Sequence, residues 1–404
     1  MLNLDDQADF LRILASQDTD RARQFFVRSG FDPVGFKNFI LEHELYFYAD
    51  LLEHFHPRDY LPPDVIDELR SYRIYQWIKN EKLLREMENL SALLENHQKE
   101  AIFLKGPFLA KRFYPASSER VIHDMDLLVQ KADVESLDRL LLEAGYQRTF
   151  WAPLGRKLAS YFVHHFTYYR QGFGVEIHWC LAQHIALRID DARLWQEKIS
   201  YAFRNRRYFV LSPEYELVMQ ILSIFGDLQQ GWFKFKSLLD AVMVLRSFSD
   251  SFDWDDFFRR RRKEKIFVVS VNILDLILDM TDSYDTFSGL ADYLRNHDSV
   301  IRLKNRADKR SLFSRHPFGM KQKGWGHSLY ESPTWVVLGW WALSLPFRLL
   351  VHHNDFENRC RSFFYSLQDL QKIPSGRGRR KNFIPSKEVP EDCGGQVESE
   401  KCSQ

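Results

Sequence analysis

Residues 101–129 read AIFLKGPFLAKRFYPASSERVIHDMDLLV, two apolar runs separated by a turn and a polar segment. The apolar run 101–104 ends at Lys105-Gly106-Pro107, a pattern typical of a buried strand that a turn terminates. A helical segment at about 108–113 and a polar loop follow, and a second apolar run, 124–129, predicts another strand. The stretch therefore predicts the order strand, turn, helix, loop, strand.

The second strand carries two carboxylates. Asp124 and Asp126 are two residues apart, so both side chains project from the same face of the strand, while Met125 points into the core on the other face. Carboxylates held side by side repel, and the pKa of one rises unless a cation lies between them. Mg²⁺ suits such a place, because it prefers oxygen ligands and leaves positions for phosphate oxygens. A solvent-facing edge strand explains the same alternation without a metal.

A third carboxylate lies further along the chain. Residues 165–170 and 175–179 are rich in β-forming residues and are joined by a glycine-containing turn, which predicts a hairpin. If this hairpin pairs beside the first Asp-containing strand, Glu176 completes a set of three carboxylates that can hold two metal ions. His178 shares the face of Glu176 and either lines the site or is a buried histidine with partners. The pair His164-His165 has no third ligand at helical spacing and is not a convincing zinc site.

Helical segments flank these strands. Short amphipathic helices are predicted before residue 55, and further helices near 213–226, 233–247 and 266–280. A long helix is predicted from Asp64 to about residue 98, and we interpret its apolar periodicity as a core-facing stripe. The stripe comprises Ile66, Leu69, Ile74, Trp77, Ile78, Leu83, Leu84, Met87, Leu90 and Leu93.

Composition excludes few function classes. The formal net charge is +1, from 56 basic and 55 acidic residues, so we expect no duplex nucleic acid as a partner. The basic run 259–263 is interpreted as a solvated helix face. The four cysteines form no CxxC pair, and the acidic N-terminus does not resemble a signal peptide, which favours a cytoplasmic location.

The segment 334–351 is the most apolar stretch, and three interpretations stay open for it. A membrane span needs about 20 apolar residues, and Pro346 and Arg348 interrupt this one, so we prefer a buried core helix. Peripheral contact with a membrane through its tryptophans and a true span are the alternatives. The polar tail 373–404 cannot bury enough apolar surface to fold alone and is predicted to be disordered.

The order of these parts resembles the nucleotidyltransferase superfamily, and more closely a family of uncharacterised bacterial nucleotidyltransferases with a Leu-Lys-Gly start. The resemblance covers about residues 70–250 and includes the long helix with Asn80. The other matching residues are Leu104-Lys105-Gly106, Tyr114, Arg120, Asp124-Met125-Asp126-Leu127-Leu128-Val129, Gly145-Tyr146, Val175-Glu176-Ile177-His178-Trp179 and Leu238-Leu239-Asp240.

The resemblance implies an α+β fold, in which a small mixed sheet carries the carboxylates and is flanked by N-terminal and C-terminal helical regions. We expect an N-terminal helical region at 1–99, a catalytic core at 100–210, a C-terminal helical region at 211–372 and the tail at 373–404.

The activity implied is transfer of a nucleoside monophosphate from a nucleoside triphosphate, dependent on Mg²⁺ or Mn²⁺. The acceptor is an unknown hydroxyl or phosphate on a small molecule, a sugar or a protein. Asp124, Asp126 and Glu176 are the expected catalytic and metal-binding residues. The expected nucleotide-binding residues are Lys105, Gly106, Arg120, Lys236 and Asp240. Arg120 could instead pair with a nearby acid, and Lys236 with Asp240.

One departure concerns the first turn. The wider superfamily has a Gly-Ser pair that binds the triphosphate, whereas this chain has Lys105-Gly106-Pro107, and Pro107 has no backbone N–H to donate. Phosphate contact by Lys105 and Gly106, or a plain strand-ending turn, are equally good interpretations. An inactive fold used for binding, at a membrane surface for example, and a toxin–antitoxin type enzyme acting on a macromolecule are the alternative functions.

Overall fold

A computed structural model of the chain describes residues 4–16, 18–45, 60–114, 120–148, 164–182, 187–230 and 234–300. Within these ranges seven strands form one mixed sheet in the order β3-β4-β5-β2-β1-β7-β6. The strands are β1 (Ala101–Leu104), β2 (Asp124–Val129), β3 (Gln147–Arg148), β4 (His165–Arg170), β5 (Phe173–His178), β6 (Ile199–Phe203) and β7 (Arg206–Val210).

Helices precede, interrupt and follow the sheet. They are α1 (Leu4–Ser16), α2 (Thr19–Val27), α3 (Pro33–Glu42), α4 (Pro63–Asn96), α5 (Gly106–Phe113), α6 (Val134–Glu143), α7 (Asp191–Gln196), α8 (Pro213–Gln230), α9 (Phe235–Leu245), α10 (Trp254–Lys263), α11 (Phe267–Thr281) and α12 (Ser288–Asn296). Short 3₁₀ turns lie at Lys131–Asp133 and Asp298–Val300. The predicted α+β class, with a mixed sheet flanked by helices, is confirmed.

The centre of the sheet is β2, which pairs antiparallel with β1 and parallel with β5. The predicted hairpin is present, because β4 and β5 pair antiparallel along their full lengths. It lies beside β2 as the sequence required for a three-carboxylate set. On the other side of β1, the parallel partner is β7.

Alternation along β2 separates two cores. Met125 and Leu127 pack on one face with residues of α4 and α6, such as Met87 and Leu137. Leu128 packs on the opposite face, in the larger core that the N-terminal helices and α8 to α11 form. Because side chains alternate along a strand, the carboxylates of β2 belong to this second face. The carboxylates therefore lie on the sheet face that packs against the N-terminal helices and α8 to α11.

The core-facing stripe predicted for α4 is wrong in the middle of the helix. Ile74, Trp77 and Ile78 are 60%, 48% and 44% exposed, whereas the polar side chains of Gln76 and Asn80 are buried. Leu69, near the start of α4, is buried in the larger core, and from Leu83 onward the apolar positions enter the other core. Periodicity identified an apolar face. The middle of α4, however, lies against the polar loop before β2, whose backbone needs hydrogen bonds.

The basic run in α10 is not uniformly solvated either. Arg259 is exposed as expected, but Arg261 is fully buried and forms ion pairs with Glu214 at 3.2 Å and Glu264 at 2.7 Å. The neighbouring Arg260 binds Glu214 at 2.8 Å. These arginines join α10 to α8, so the run has a structural use.

In the described part of the chain, no helix has the length and apolar character that crossing a membrane requires. The segment 334–351 and the tail 373–404 lie outside the described residues, as do Cys360, Cys393 and Cys402. The predicted division into regions at 1–99, 100–210, 211–372 and 373–404 stays a prediction.

Candidate active site

Strand register brings two of the predicted carboxylates together. Asp126 of β2 is the direct partner of Glu176 of β5, and Asp124 is the partner of Gly174. Partners on adjacent strands present their side chains on the same face, a few ångströms apart. Asp126 is only 8% exposed, so its carboxylate is held in a largely dry environment. The sheet alone thus places an acidic pair at this point.

His178 joins this pair as a third member. Its Nε2 lies 3.0 Å from Asp126 Oδ1 and 3.3 Å from Glu176 Oε2, and the ring is buried. Burial acts to lower the pKa of His178, but the hydrogen bonds to Asp126 and Glu176 outweigh it and raise the pKa. His178 therefore links the two carboxylates through one ring nitrogen.

The pKa values of the two aspartates of β2 are shifted in opposite directions. Burial, followed by the charges of Asp126 and Glu176, raises the pKa of Asp124 to about 6. Burial also acts against the ionised form of Asp126, but the charge of Lys105 and the hydrogen bond with His178 hold its pKa below the ordinary value. A cation placed beside Asp124 would relieve the repulsion that raises its pKa.

The turn that follows β1 carries an unusual backbone. Lys105 has φ +44° and Gly106 has φ +47°, so two successive residues occupy a region that L-residues with a side chain rarely adopt. A Cβ atom at Gly106 would lie 3.6 Å from Ile122 and 3.9 Å from the carbonyl oxygen of Asp124. The turn is thus packed against the start of β2, and the charge of Lys105 acts on both aspartates.

The segment that leads into β2 is held by two amides of α4. Asn80 donates from Nδ2 to the carbonyl oxygen of Arg120 at 3.0 Å, and its Oδ1 accepts from the backbone N–H of Ile122 at 3.4 Å. Gln76 donates to Asn80 Oδ1 and to the Ile122 carbonyl oxygen, each at 3.0 Å. These bonds explain why polar residues replace apolar ones on this face of α4. They also fix the point at which β2 begins with Asp124.

Arg120 and Asp240 form a buried ion pair. The guanidinium donates from Nε and Nη2 to the two carboxylate oxygens at 2.8–3.0 Å, and Tyr114 donates its hydroxyl hydrogen to the same carboxylate. The side chains of Arg120 and Asp240 are 11% and 2% exposed. Of the two interpretations given for Arg120, pairing with an acid is the one whose geometry the structure contains. The ion pair ties α9 to the loop that precedes β2.

Lys236 has a different partner from the one that helical spacing suggested. Its Nζ lies 2.8 Å from Glu44 Oε2, and the other oxygen of Glu44 lies 2.5 Å from His123 Nε2. Burial, and then the charge of Arg120, lower the pKa of Lys236, although Glu44 and Asp240 act in the opposite direction. Glu44 therefore lies between a buried ammonium group and the histidine next to Asp124.

Asp227 of α8 is a further acid near these groups. Its Oδ2 accepts a hydrogen bond from the Ser237 hydroxyl at 3.2 Å. Burial raises its pKa to about 6, and the charges of Lys234, Lys105 and Lys236 oppose that rise. The sequence indicates neither Asp227 nor Glu44, since Asp227 on α8 and Glu44 in the turn after α3 are far from the Asp-x-Asp strand and belong to no motif.

The side chains at this point include donor atoms that suit a metal ion. Donor atoms of Asp126, Glu176 and His178 all lie within 4.8 Å of one another, so the acid of β2 that shares this group is Asp126. The two carboxylates suit Mn²⁺ or Mg²⁺ with open positions for phosphate oxygens, and His178 orients them both. Asp124 is on the same face of β2, two residues before Asp126. Its pKa is raised in part because the neighbouring carboxylates are not balanced by enough positive charge. The residues present therefore fit a divalent cation.

The predicted residues fall into two groups around this centre. Asp124, Asp126 and Glu176 lie together with the Lys105-Gly106 turn. Arg120 and Asp240 instead pair with each other, and Lys236 pairs with Glu44. Their parts in catalysis and nucleotide binding stay predictions.

Comparison with known proteins adds a family to this geometry. A family model described as "Uncharacterised nucleotidyltransferase" matches residues 42–281, a range that begins at the end of α3 and ends with α11. It includes the whole sheet and every residue of the site described above. No curated protein matches the chain.

Proposed function

Because the chain belongs to the uncharacterised nucleotidyltransferase family, we propose that it transfers a nucleoside monophosphate from a nucleoside triphosphate to a hydroxyl or phosphate acceptor. The acceptor belongs to a small molecule, a sugar or a protein. The observation that carries the proposal is the register pairing of Asp126 with Glu176, with His178 bonded to both.

Asp126 and Glu176, with Asp124 beside them, would hold Mg²⁺ or Mn²⁺. When bound there, the ion neutralises charge on the triphosphate and makes the acceptor oxygen easier to deprotonate. The three carboxylates lie on the sheet face whose apolar residues pack against the helical regions. Glu176 is the more exposed member of the closely spaced pair, at 26% against 8% for Asp126, and accepts the proton of the acceptor.

Phosphate binding falls to the turn after β1. The Lys105 side chain supplies a positive charge that acts on Asp124 and Asp126, and Gly106 lets the backbone lie close to the start of β2. Lys236 is a second cation near the same loop. In this proposal Arg120 and Asp240 act as positioning residues, since their mutual ion pair holds the loop that immediately precedes Asp124.

The test is calorimetric titration of the protein with a nonhydrolysable nucleoside triphosphate in the presence of Mn²⁺. The wild type is compared with Asp126→Asn, and Asp133→Asn serves as the matched control, because Asp133 pairs with Lys99 at 2.7 Å beyond the far end of β2. We expect binding in the wild type and in the control, and none in Asp126→Asn.

Binding that persists in Asp126→Asn would overturn the proposed site. If neither the wild type nor Asp126→Asn binds a nucleotide, the alternative holds: the protein has the fold without the reaction and serves as a binding or scaffold protein. If the wild type binds the nucleotide and Asp126→Asn does not, labelled nucleotide supplied with candidate acceptors then shows whether the acceptor is a small molecule or a macromolecule such as a protein or a tRNA. A cytoplasmic location and peripheral membrane contact through 334–351 remain predictions.

A further inference from the structure

Three imidazole rings lie together where the β4–β5 hairpin is open. His165 at the start of β4 pairs in register with His178 at the end of β5, and His164 directly precedes β4. Side chains from both strands therefore meet here on the sheet face that carries Glu176. The sequence could not indicate this group, because its third member comes from strand pairing and not from helical spacing.

The spacing of the rings suits a tetrahedral ion. Their centres are 4.6 Å apart for His164 and His165, 4.9 Å for His165 and His178, and 5.5 Å for His164 and His178. With zinc–nitrogen bonds of about 2.0–2.1 Å, the ring centres of a tetrahedral site lie about 5 Å apart. Nitrogens of all three residues already lie within 4.8 Å of one another, and about 3.3 Å is needed. Small rotations of the side chains close that gap.

His178 has one nitrogen to spare. Its Nε2 contacts Asp126 and Glu176, while its buried Nδ1 has no hydrogen-bond partner among the described residues. A buried polar atom without a partner costs free energy, which a bound ligand would recover. We propose that His164, His165 and His178 form a zinc site, with Nδ1 of His178 as one ligand and water in the fourth position.

Zinc follows from the chemistry of the donors. Three neutral imidazoles favour a borderline ion such as Zn²⁺, whereas Mg²⁺ binds oxygen atoms. A zinc ion on Nδ1 would leave Nε2–H to donate to Asp126, which is the carboxylate–histidine–metal arrangement that orients ligands in zinc proteins. The zinc site would thus set the ring that contacts both carboxylates, although its presence does not depend on nucleotide transfer.

The experiment measures Zn²⁺ affinity of the full chain, stripped of metal, in competition with a coloured chelator. Co²⁺ is the spectroscopic probe, since a tetrahedral nitrogen site gives strong visible absorption. The variants are His164→Asn and His165→Asn, with His97→Asn at the exposed end of α4 as the matched control. Asp124→Asn reports on the carboxylate site, and thermal denaturation followed by circular dichroism verifies that each variant is folded.

We expect one zinc ion per chain, with affinity lowered at least about tenfold in His164→Asn and His165→Asn and unchanged in His97→Asn and Asp124→Asn. His164→Asn should still bind Mn²⁺ with nucleotide. The proposal is overturned if the wild type binds no zinc, if folded His164→Asn binds it as tightly, or if Asp124→Asn loses it equally. Absence of nucleotide binding in the wild type would refute the proposed function and leave the zinc result unaffected.

Discussion

Asp126 and Glu176 are register partners on two parallel strands that are far apart in the sequence. If both carboxylates hold the same ion, removing either charge weakens its binding. We predict that Glu176→Gln lowers Mn²⁺ affinity about 10- to 100-fold, while an amide of the same shape keeps the strand pairing. Electron paramagnetic resonance of free Mn²⁺ measures the affinity.

The matched control for this prediction is Glu135→Gln, on the exposed surface of α6. It changes the net charge of the protein by the same amount without touching the site. Equal Mn²⁺ affinity in Glu176→Gln and the wild type would remove Glu176 from the site and leave Asp124 and Asp126 as its acids.

The buried ion pair of Arg120 with Asp240 gives a prediction about stability. Asp240→Asn leaves a buried guanidinium without its counter-charge, and breaking such a pair costs about 3–5 kcal/mol of the free energy of unfolding. Urea denaturation measures this loss. In the exposed pair Arg295–Asp292, where both side chains are about two-thirds exposed, Asp292→Asn should cost about 0.5 kcal/mol or less. Similar small losses in both variants would mean that Arg120 does not depend on Asp240.

The sequence predicted the strands of the site well, because alternation is a local property. Asp124 and Asp126 lie on one face of β2, the hairpin carries Glu176, and β5 pairs with β2. The register of that pairing was out of reach, since it is set by packing between distant segments and not by either strand alone. Register is what makes Asp126, and not Asp124, the close partner of Glu176.

Residues that are distant in the sequence from the strands of the site could not be predicted for the same reason. Glu44 and Asp227 have no motif around them, and only the packing of helices against the sheet brings them near the loop before β2. On α4, the pattern indicated an apolar face, but the polar loop beside Gln76 and Asn80 required hydrogen bonds there.

The position of Glu44 between His123 and Lys236 leads to a prediction about nucleotide affinity. Its carboxylate is bonded to the His123 ring, next to Asp124, and to the ammonium group of Lys236, and it adds negative charge where a triphosphate must approach. We expect Glu44→Gln to bind a nonhydrolysable triphosphate with Mn²⁺ about fivefold more tightly, a gain of about 1 kcal/mol. Calorimetry measures it, with Glu42→Gln, two residues earlier at the end of α3, as control. Weaker binding in Glu44→Gln would show that Glu44 supports the site.

Asp227 gives a prediction about pH. Burial raises its pKa to about 6 in the folded protein, from an ordinary value of 3.8. A carboxyl group with a raised pKa binds its proton more tightly when folded. Its protonated form therefore adds stability that is fully present below about pH 4 and is lost as the pH rises to about 6. At neutral pH the buried charge is a cost, partly offset by Lys234, Lys105 and Lys236.

Asp227→Asn removes that charge and keeps an oxygen to accept the Ser237 hydrogen bond. We therefore expect the variant to be more stable than the wild type by about 1–2 kcal/mol at pH 7.5, since the side chain is only half-buried, and by less at pH 5. Urea denaturation at the two pH values measures the difference, and Asp285→Asn, at an exposed position before α12, should show no pH-dependent gain. A gain that is larger at pH 5 than at pH 7.5 would contradict the prediction, because the charge would then stabilise the folded protein.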